Sequence, residues 1–209
     1  MYRENFSLKS IQLLAMLAML YGALSIAGQI MAAKTFAIFG IATTAGVFFM
    51  SATFPLNAII TQQYGRKVMK SLISSTLISL VIISLALHFI SSIYSNPISS
   101  LDESYKQVFS STQMRVALAS LISYLLSENT TSIVMSILEK SKIKINFIRI
   151  VIAAFLGIII DSVVFINIAF LGVFEVATVL QLILSLIIVK GIITILVCVF
   201  VDIVRFFRK

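Results

Sequence analysis

The chain has 209 residues, of which 60% are hydrophobic and 11% charged, with a mean hydropathy of +1.10. A soluble domain of this size cannot hide so much apolar surface, so the composition excludes an ordinary soluble protein and points to a polytopic membrane protein. The net charge of +8 does not call for nucleic acid, because the basic residues lie between apolar runs, as on the cytoplasmic face of membrane proteins.

Six apolar runs can be read in order: 10–33, 36–60, 71–93, 114–138, 147–172 and 177–204. Each exceeds the roughly 20 residues that a helix needs to cross about 30 Å of hydrocarbon. The first run is longer than a signal-peptide core of about 7 to 15 residues and a second follows at once, so it reads as a mature helix. Ten-residue segments of alternating polarity are missing, which excludes an outer-membrane barrel. The expectation is an all-α polytopic membrane protein, six transmembrane helices in one bundle forming a single domain over 1–209.

Arg3 and Lys9 precede the first span, Arg66, Lys67 and Lys70 follow the second, and Lys140, Lys142 and Lys144 follow the fourth. Arg205, Arg208 and Lys209 close the chain. Six crossings put all four clusters on one side, so both termini are expected in the cytoplasm and the protein in the cytoplasmic (inner) membrane. The opposite face carries Lys34, the long connection 94–113 with Asn96, Pro97, Asp102, Glu103 and Lys106, and then Glu175.

Small residues at four-residue spacing, Ala18 with Gly22, Ala42 with Gly46 and Ala153 with Gly157, predict close helix contacts. In span two, Pro55 and Asn57 interrupt the apolar run; the proline either kinks the helix or frees a carbonyl to line a cavity. Gln29, Asn167 and Gln181 are expected to hydrogen-bond between helices. His88, in the outer part of span three, reads as incidental to the interface or as a proton-linked switch. Cys198 has no intrachain disulfide partner and reads as a small buried hydrophobe.

Ionisable residues within the apolar runs are costly and mark candidate functional sites. Glu128 and Asp161 each lie about 14 residues into their spans, roughly 21 Å at 1.5 Å per residue, and Lys190 lies about 13 residues, or roughly 20 Å, into the last. All three therefore fall near the midplane, Asp161 somewhat to the outer side and Glu128 to the inner side. They form either a structural salt bridge with one carboxyl left over or a polar solute site. Glu128 opens a polar stretch with Asn129, Thr130, Thr131 and Ser132, which favours the solute site. Arg115 and Arg149, at the starts of spans four and five, snorkel to headgroups or serve the solute. The substrate-binding candidates are Asp161, Glu128, Lys190, Asn129, Arg149 and Asn57.

Metal-ligand spacings, P-loops and nucleophile elbows are missing from the sequence, so neither an enzyme nor a cofactor is expected. The partners expected are a small planar polar solute and the lipid bilayer, and not nucleic acid.

Several segments carry a family resemblance. FLGIIIDSVVFINIAFLGVF, with Asp161, Ser162, Phe165, Ala169, Phe170 and Gly172, resembles the most specific motif of the queuosine-precursor transporter family, formerly known as a vitamin uptake transporter family. MRVALASLISYLLSE, with Arg115, Ala117, Ala119, Ser120 and Tyr124, resembles a second segment, and TQQYG at 61–65 a third; Lys190 matches a lysine of the last helix. The chain departs from the pattern at Ala58, Gln62, Glu128 and Phe147. The resemblance implies a six-helix importer of cyano or aminomethyl 7-deazaguanine, similar in outline to vitamin-binding components of energy-coupling-factor transporters. Two alternatives stand beside it: a substrate-binding subunit powered by separate ATPases, and a membrane scaffold whose charges face outward toward a partner's helices.

Overall fold

The computed structural model describes residues 7–32, 34–38, 41–93 and 114–207. The connection 94–113 and Arg3, Arg208 and Lys209 of the terminal basic clusters lie outside the described residues. Among those residues are five helices: α1 (Leu8–Met31), α2 (Gly46–Ser92), α3 (Met114–Glu139), α4 (Asn146–Phe170) and α5 (Val176–Phe207). Each is long and apolar enough to cross a membrane, and rows of large side chains such as Leu85, Phe89, Leu184, Ile188 and Ile192 face outward. The protein is a polytopic membrane protein of helical architecture.

A short antiparallel hairpin, β1 (Thr35–Ile38) and β2 (Ile41–Thr44), joins α1 to α2, with Thr35 opposite Thr44 and Ile38 opposite Ile41. Residues 36–38 and 41–45 therefore do not belong to a helix, contrary to the span expected at 36–60. Thr35, Ile38, Ile41, Thr43 and Thr44 are β-branched and restrict χ1 in a helix, while pairing within the hairpin satisfies the backbone. The Ala45 N–H donates to the Lys34 carbonyl at 2.8 Å and closes the base.

The second correction concerns 61–70, read as a connection between two spans. These residues are helical, and α2 has 47 residues interrupted only at Gly65, where φ is 83° and ψ 159°. Gln, Tyr, Arg, Lys and Met on either side are tolerated in helices, and glycine alone enters that backbone region without strain. In a straight helix Thr53 and Thr76 would be roughly 35 Å apart. Here Thr53 contacts Glu128 while Thr76 lies against Tyr124, one turn before Glu128 on the same helix. The arms 46–64 and 66–92 consequently double back on each other at Gly65, and both pack into one cluster with Leu56, Ile60, Met69, Ile73, Tyr21 and Tyr124.

Contacts at the helix ends gather the basic residues. Tyr64 Oη donates to the Ser10 carbonyl at 3.1 Å, and Gln62 Nε2 donates to Asn146 Oδ1 at 3.1 Å. Lys9, the Arg66–Lys70 group and the lysines of 140–144 thus share one end of the bundle. At the other end Gly46 meets the backbone of α1, where an added Cβ would lie 2.3 Å from the Gly28 carbonyl oxygen. Gly157 is equally tight against Thr131 and Phe54, as its small-residue pattern predicts, whereas nothing approaches Gly22.

Gly65→Ala is expected to destabilise the protein by about 1–3 kcal/mol through backbone strain alone, because nothing crowds the position. Gly22→Ala, in an open stretch of helix, should instead be neutral or stabilising by up to about 1 kcal/mol. Thermal unfolding of both variants in one detergent checks the opposite signs.

Candidate functional site

Two polar assemblies lie inside the bundle. The first joins α4 to α5: Asp161 Oδ2 accepts a hydrogen bond from Lys190 Nζ in a buried ion pair. It sits at one side of a cavity of about 440 Å³. The cavity is walled by Gly28 of α1 and Ala32 at its C-cap, Thr43 and Thr44 of the hairpin, Val47 and Met50 of α2, Ser120 and Ser123 of α3, and Phe165, Phe170 and Phe174. These elements belong to the end of the bundle opposite the basic residues. Phe165 and Phe170 meet edge to face with centroids 6.2 Å apart, and Phe170 and Phe174 lie 5.6 Å apart, so aromatic surface covers one flank.

Thr43 is the cavity residue that sequence reasoning missed. Its side chain is buried, and Oγ1 has no hydrogen-bond partner among the described residues. The position was read as the interior of a helix, where a threonine carries no signal. Only the hairpin brings it to the cavity.

The second assembly surrounds Glu128, which is wholly buried. Thr53 Oγ1 lies 2.6 Å from Glu128 Oε1, and Asn57 Nδ2 donates to Oε2 at 2.6 Å and to the Glu128 carbonyl at 2.8 Å. Thr61 Oγ1 donates to Asn57 Oδ1 at 3.1 Å. Thr53, Asn57 and Thr61 recur every four residues, so they form one stripe along α2 that ends one turn from Gly65. Tyr21 and Tyr124 share a hydrogen bond of 2.8 Å beside it. Neither Glu128 nor Asn57 lines the cavity.

Residues 51–57 of α2 hold Glu128 and also reach α5 one helical turn from Lys190. Pro55 has no N–H to give the Ser51 carbonyl four residues earlier, and that carbonyl accepts from Thr194 Oγ1 of α5 at 3.0 Å. Thr194 is one helical turn beyond Lys190. The freed carbonyl does not line the cavity but binds α5, and the helix continues through the proline.

The remaining candidates stay apart. Asn129 Nδ2 donates to Leu125 of its own helix at 2.7 Å. Arg149 Nε donates to the Ile143 carbonyl at 2.5 Å, closing the α3–α4 connection. Arg115 caps the end of α4, donating to the Ile168 and Leu171 carbonyls at 2.7 Å each, where cations suit the helix terminus. Gln29 bonds across helices as expected, accepting from Ser120 at 2.5 Å. Asn167 bonds within α4 to Val163, and Gln181 is exposed on α5. Cys198 is buried among Ala58, Met135, Ile150 and Ala153.

A family model described as "Putative vitamin uptake transporter", also known as the queuosine precursor transporter family, matches residues 44–204. The chain belongs to this family. Membership makes it a membrane transporter of a small molecule. No curated protein and no solved structure matches the chain. In this transporter the residues that carry the family resemblance have distinct duties: Asp161 forms the ion pair and Phe165 and Phe170 the aromatic wall, while Tyr64 and Gly65 shape the turn of α2. Both charges of the cavity point inward, which counts against a scaffold whose charges face outward to a partner.

Removing one member of a buried ion pair leaves the other charge without a counterion, at about 3–5 kcal/mol. Lys190→Met should therefore lower the melting temperature strongly. Adding Asp161→Asn to Lys190→Met should restore part of the loss, which a thermal-shift double-mutant cycle measures directly.

Proposed function

We propose that this protein imports 7-deazaguanine precursors of queuosine across the cytoplasmic membrane, binding them in the cavity beside Asp161 and Lys190. The observation that carries the reading is a buried Asp–Lys pair in a cavity with an aromatic flank. At about 440 Å³ the cavity is within the usual range for small-molecule sites, about 300–1,000 Å³. A deazaguanine presents a ring N–H and an exocyclic amine beside a ring carbonyl. A carboxylate accepts the two donors in a bidentate contact, and Lys190 Nζ donates to the adjacent carbonyl. Each carboxylate oxygen accepts more than one hydrogen bond, so Asp161 can hold the ring edge without releasing Lys190. Phe165, Phe170 and Phe174 offer the plane of the ring an apolar surface, and Thr43 Oγ1 is an unspent polar group for the far side.

Counting the arms of α2 separately gives six crossings, with both termini in the cytoplasm. Supporting this are the basic residues collected at the end of the bundle that contains Ser10, Gly65 and Asn146, which the positive-inside bias would turn toward the cytoplasm. The cavity then lies in the outer half, on the side from which a nutrient arrives.

The charges of the cavity also favour one solute over another. Its lining includes one acid and one base, already paired, so it has no spare carboxylate for an aminomethyl cation. The neutral cyano form is expected to bind more tightly than the aminomethyl form in calorimetry on the detergent-solubilised protein. Asp161→Asn should weaken the cyano form roughly a hundredfold, the loss of charge-assisted hydrogen bonds, and should abolish queuosine rescue in precursor-deficient cells fed low external precursor. Rescue at the wild-type level with equal protein abundance would remove Asp161 from the site.

A further inference from the structure

Glu128 is the acid that the cavity does not use, and at Thr53 beside it there are more acceptors than hydrogens. Thr53 Oγ1 is 2.8 Å from the Met50 carbonyl and 2.6 Å from Glu128 Oε1. Both neighbours are acceptors if Glu128 is ionised, and a threonine hydroxyl has one hydrogen to give. A proton on Glu128 Oε1 resolves the conflict: the acid donates to Thr53, and Thr53 donates to Met50. Asn57 then gives its two amide hydrogens to Oε2 and to the Glu128 carbonyl, and Thr61 gives its hydrogen to Asn57. Every short contact has one hydrogen.

The charge inventory agrees. Facing Glu128 are Tyr21 from α1, which hydrogen-bonds to it, Tyr124 on α3 itself and Asp161 from α4, with Lys190 of α5 behind Asp161. Among the described residues, α2 presents it with Thr53 and Asn57, which are uncharged. Lys190 is already paired with Asp161. An ionised Glu128 would be a wholly buried anion without a cation, whereas the neutral acid costs the interior little.

We propose that Glu128 is a proton-binding site of this transporter, protonated in the present conformation and deprotonated during the transport cycle. Residues 51–57 link the two events. They hold Glu128 through Thr53 and Asn57, and they reach α5 through the Ser51 carbonyl and Thr194, a turn from Lys190. A solute that shifts the Asp161–Lys190 pair displaces α5 against this stretch and loosens Thr53 and Asn57 from the acid. The O–H bond of Glu128 then breaks, the electron pair stays on the carboxylate, and the proton passes to water admitted along the Thr53–Asn57–Thr61 stripe toward the basic end. Protonation of Glu128 stands without any particular solute; its link to transport rests on the uptake reading above.

Infrared difference spectroscopy on the full chain in lipid nanodiscs tests protonation with no solute present. The wild type should show the carbonyl stretch of a buried carboxylic acid at neutral pH. Glu128→Gln should lack that band, and Thr53→Val should shift it because the acid loses its acceptor. A wild type without the band, or a band unmoved in both variants, would overturn the proposal. Uptake of cyano deazaguanine into proteoliposomes tests the coupling. With one proton per solute, an inward gradient of one pH unit raises accumulation about tenfold. Glu128→Gln should lose this response and keep solute exchange at equal pH. Equal responses in wild type and variant would also overturn it. If the wild type takes up neither deazaguanine, the substrate reading fails while the infrared result still decides the proton site.

Discussion

The interior of this bundle is organised by the cost of leaving a polar group unmatched in an apolar medium. Residues 51–57 of α2 do most to avert it. Within two turns they supply a carbonyl freed by Pro55, a hydroxyl, an amide and an aromatic ring, received by three different helices. Thr194 answers the carbonyl from α5, and Glu128 answers Thr53 and Asn57 from α3. Phe54 fills the gap opposite Gly157 of α4. The helices are thus fixed around α2 by specific polar matches as well as by apolar packing, which is weakly selective where lipid is as apolar as the core.

Division of labour follows from that arrangement. The ion pair faces the cavity, and Glu128, wholly buried, does not line it. Two ionisable sites in the interior therefore have different surroundings: Asp161 and Lys190 border the cavity, and Glu128 does not. Depth alone does not separate them; the face of the helix does.

Much of this was legible in the sequence and some of it was not. Charge cost and residue counting brought Asp161 and Lys190 to the same level, and they are in contact. The same counting put Glu128 with them but could not find its partners, since Thr53 and Asn57 come from a helix seventy-odd residues away in sequence. Asn129 was grouped with Glu128 because they are adjacent, yet neighbours on a helix point in different directions. Gly65 was hidden inside a motif: nothing in TQQYG distinguishes a loop from a helix broken at one residue. The hairpin was hidden because β-branched residues satisfy a hydropathy window as well as any helical segment does.

Arg115 places a further constraint on how the cavity can change shape. Its guanidinium grips two carbonyls at the end of α4 from the first turn of α3, and Gly157 seats the middle of α4 against Thr131 of α3. Pinned at two heights, α3 and α4 behave as one stiff plate. A change of cavity shape that keeps both of these contacts falls to the parts around α3 and α4, the hairpin that carries Thr43 and the turn before α5 that carries Phe174.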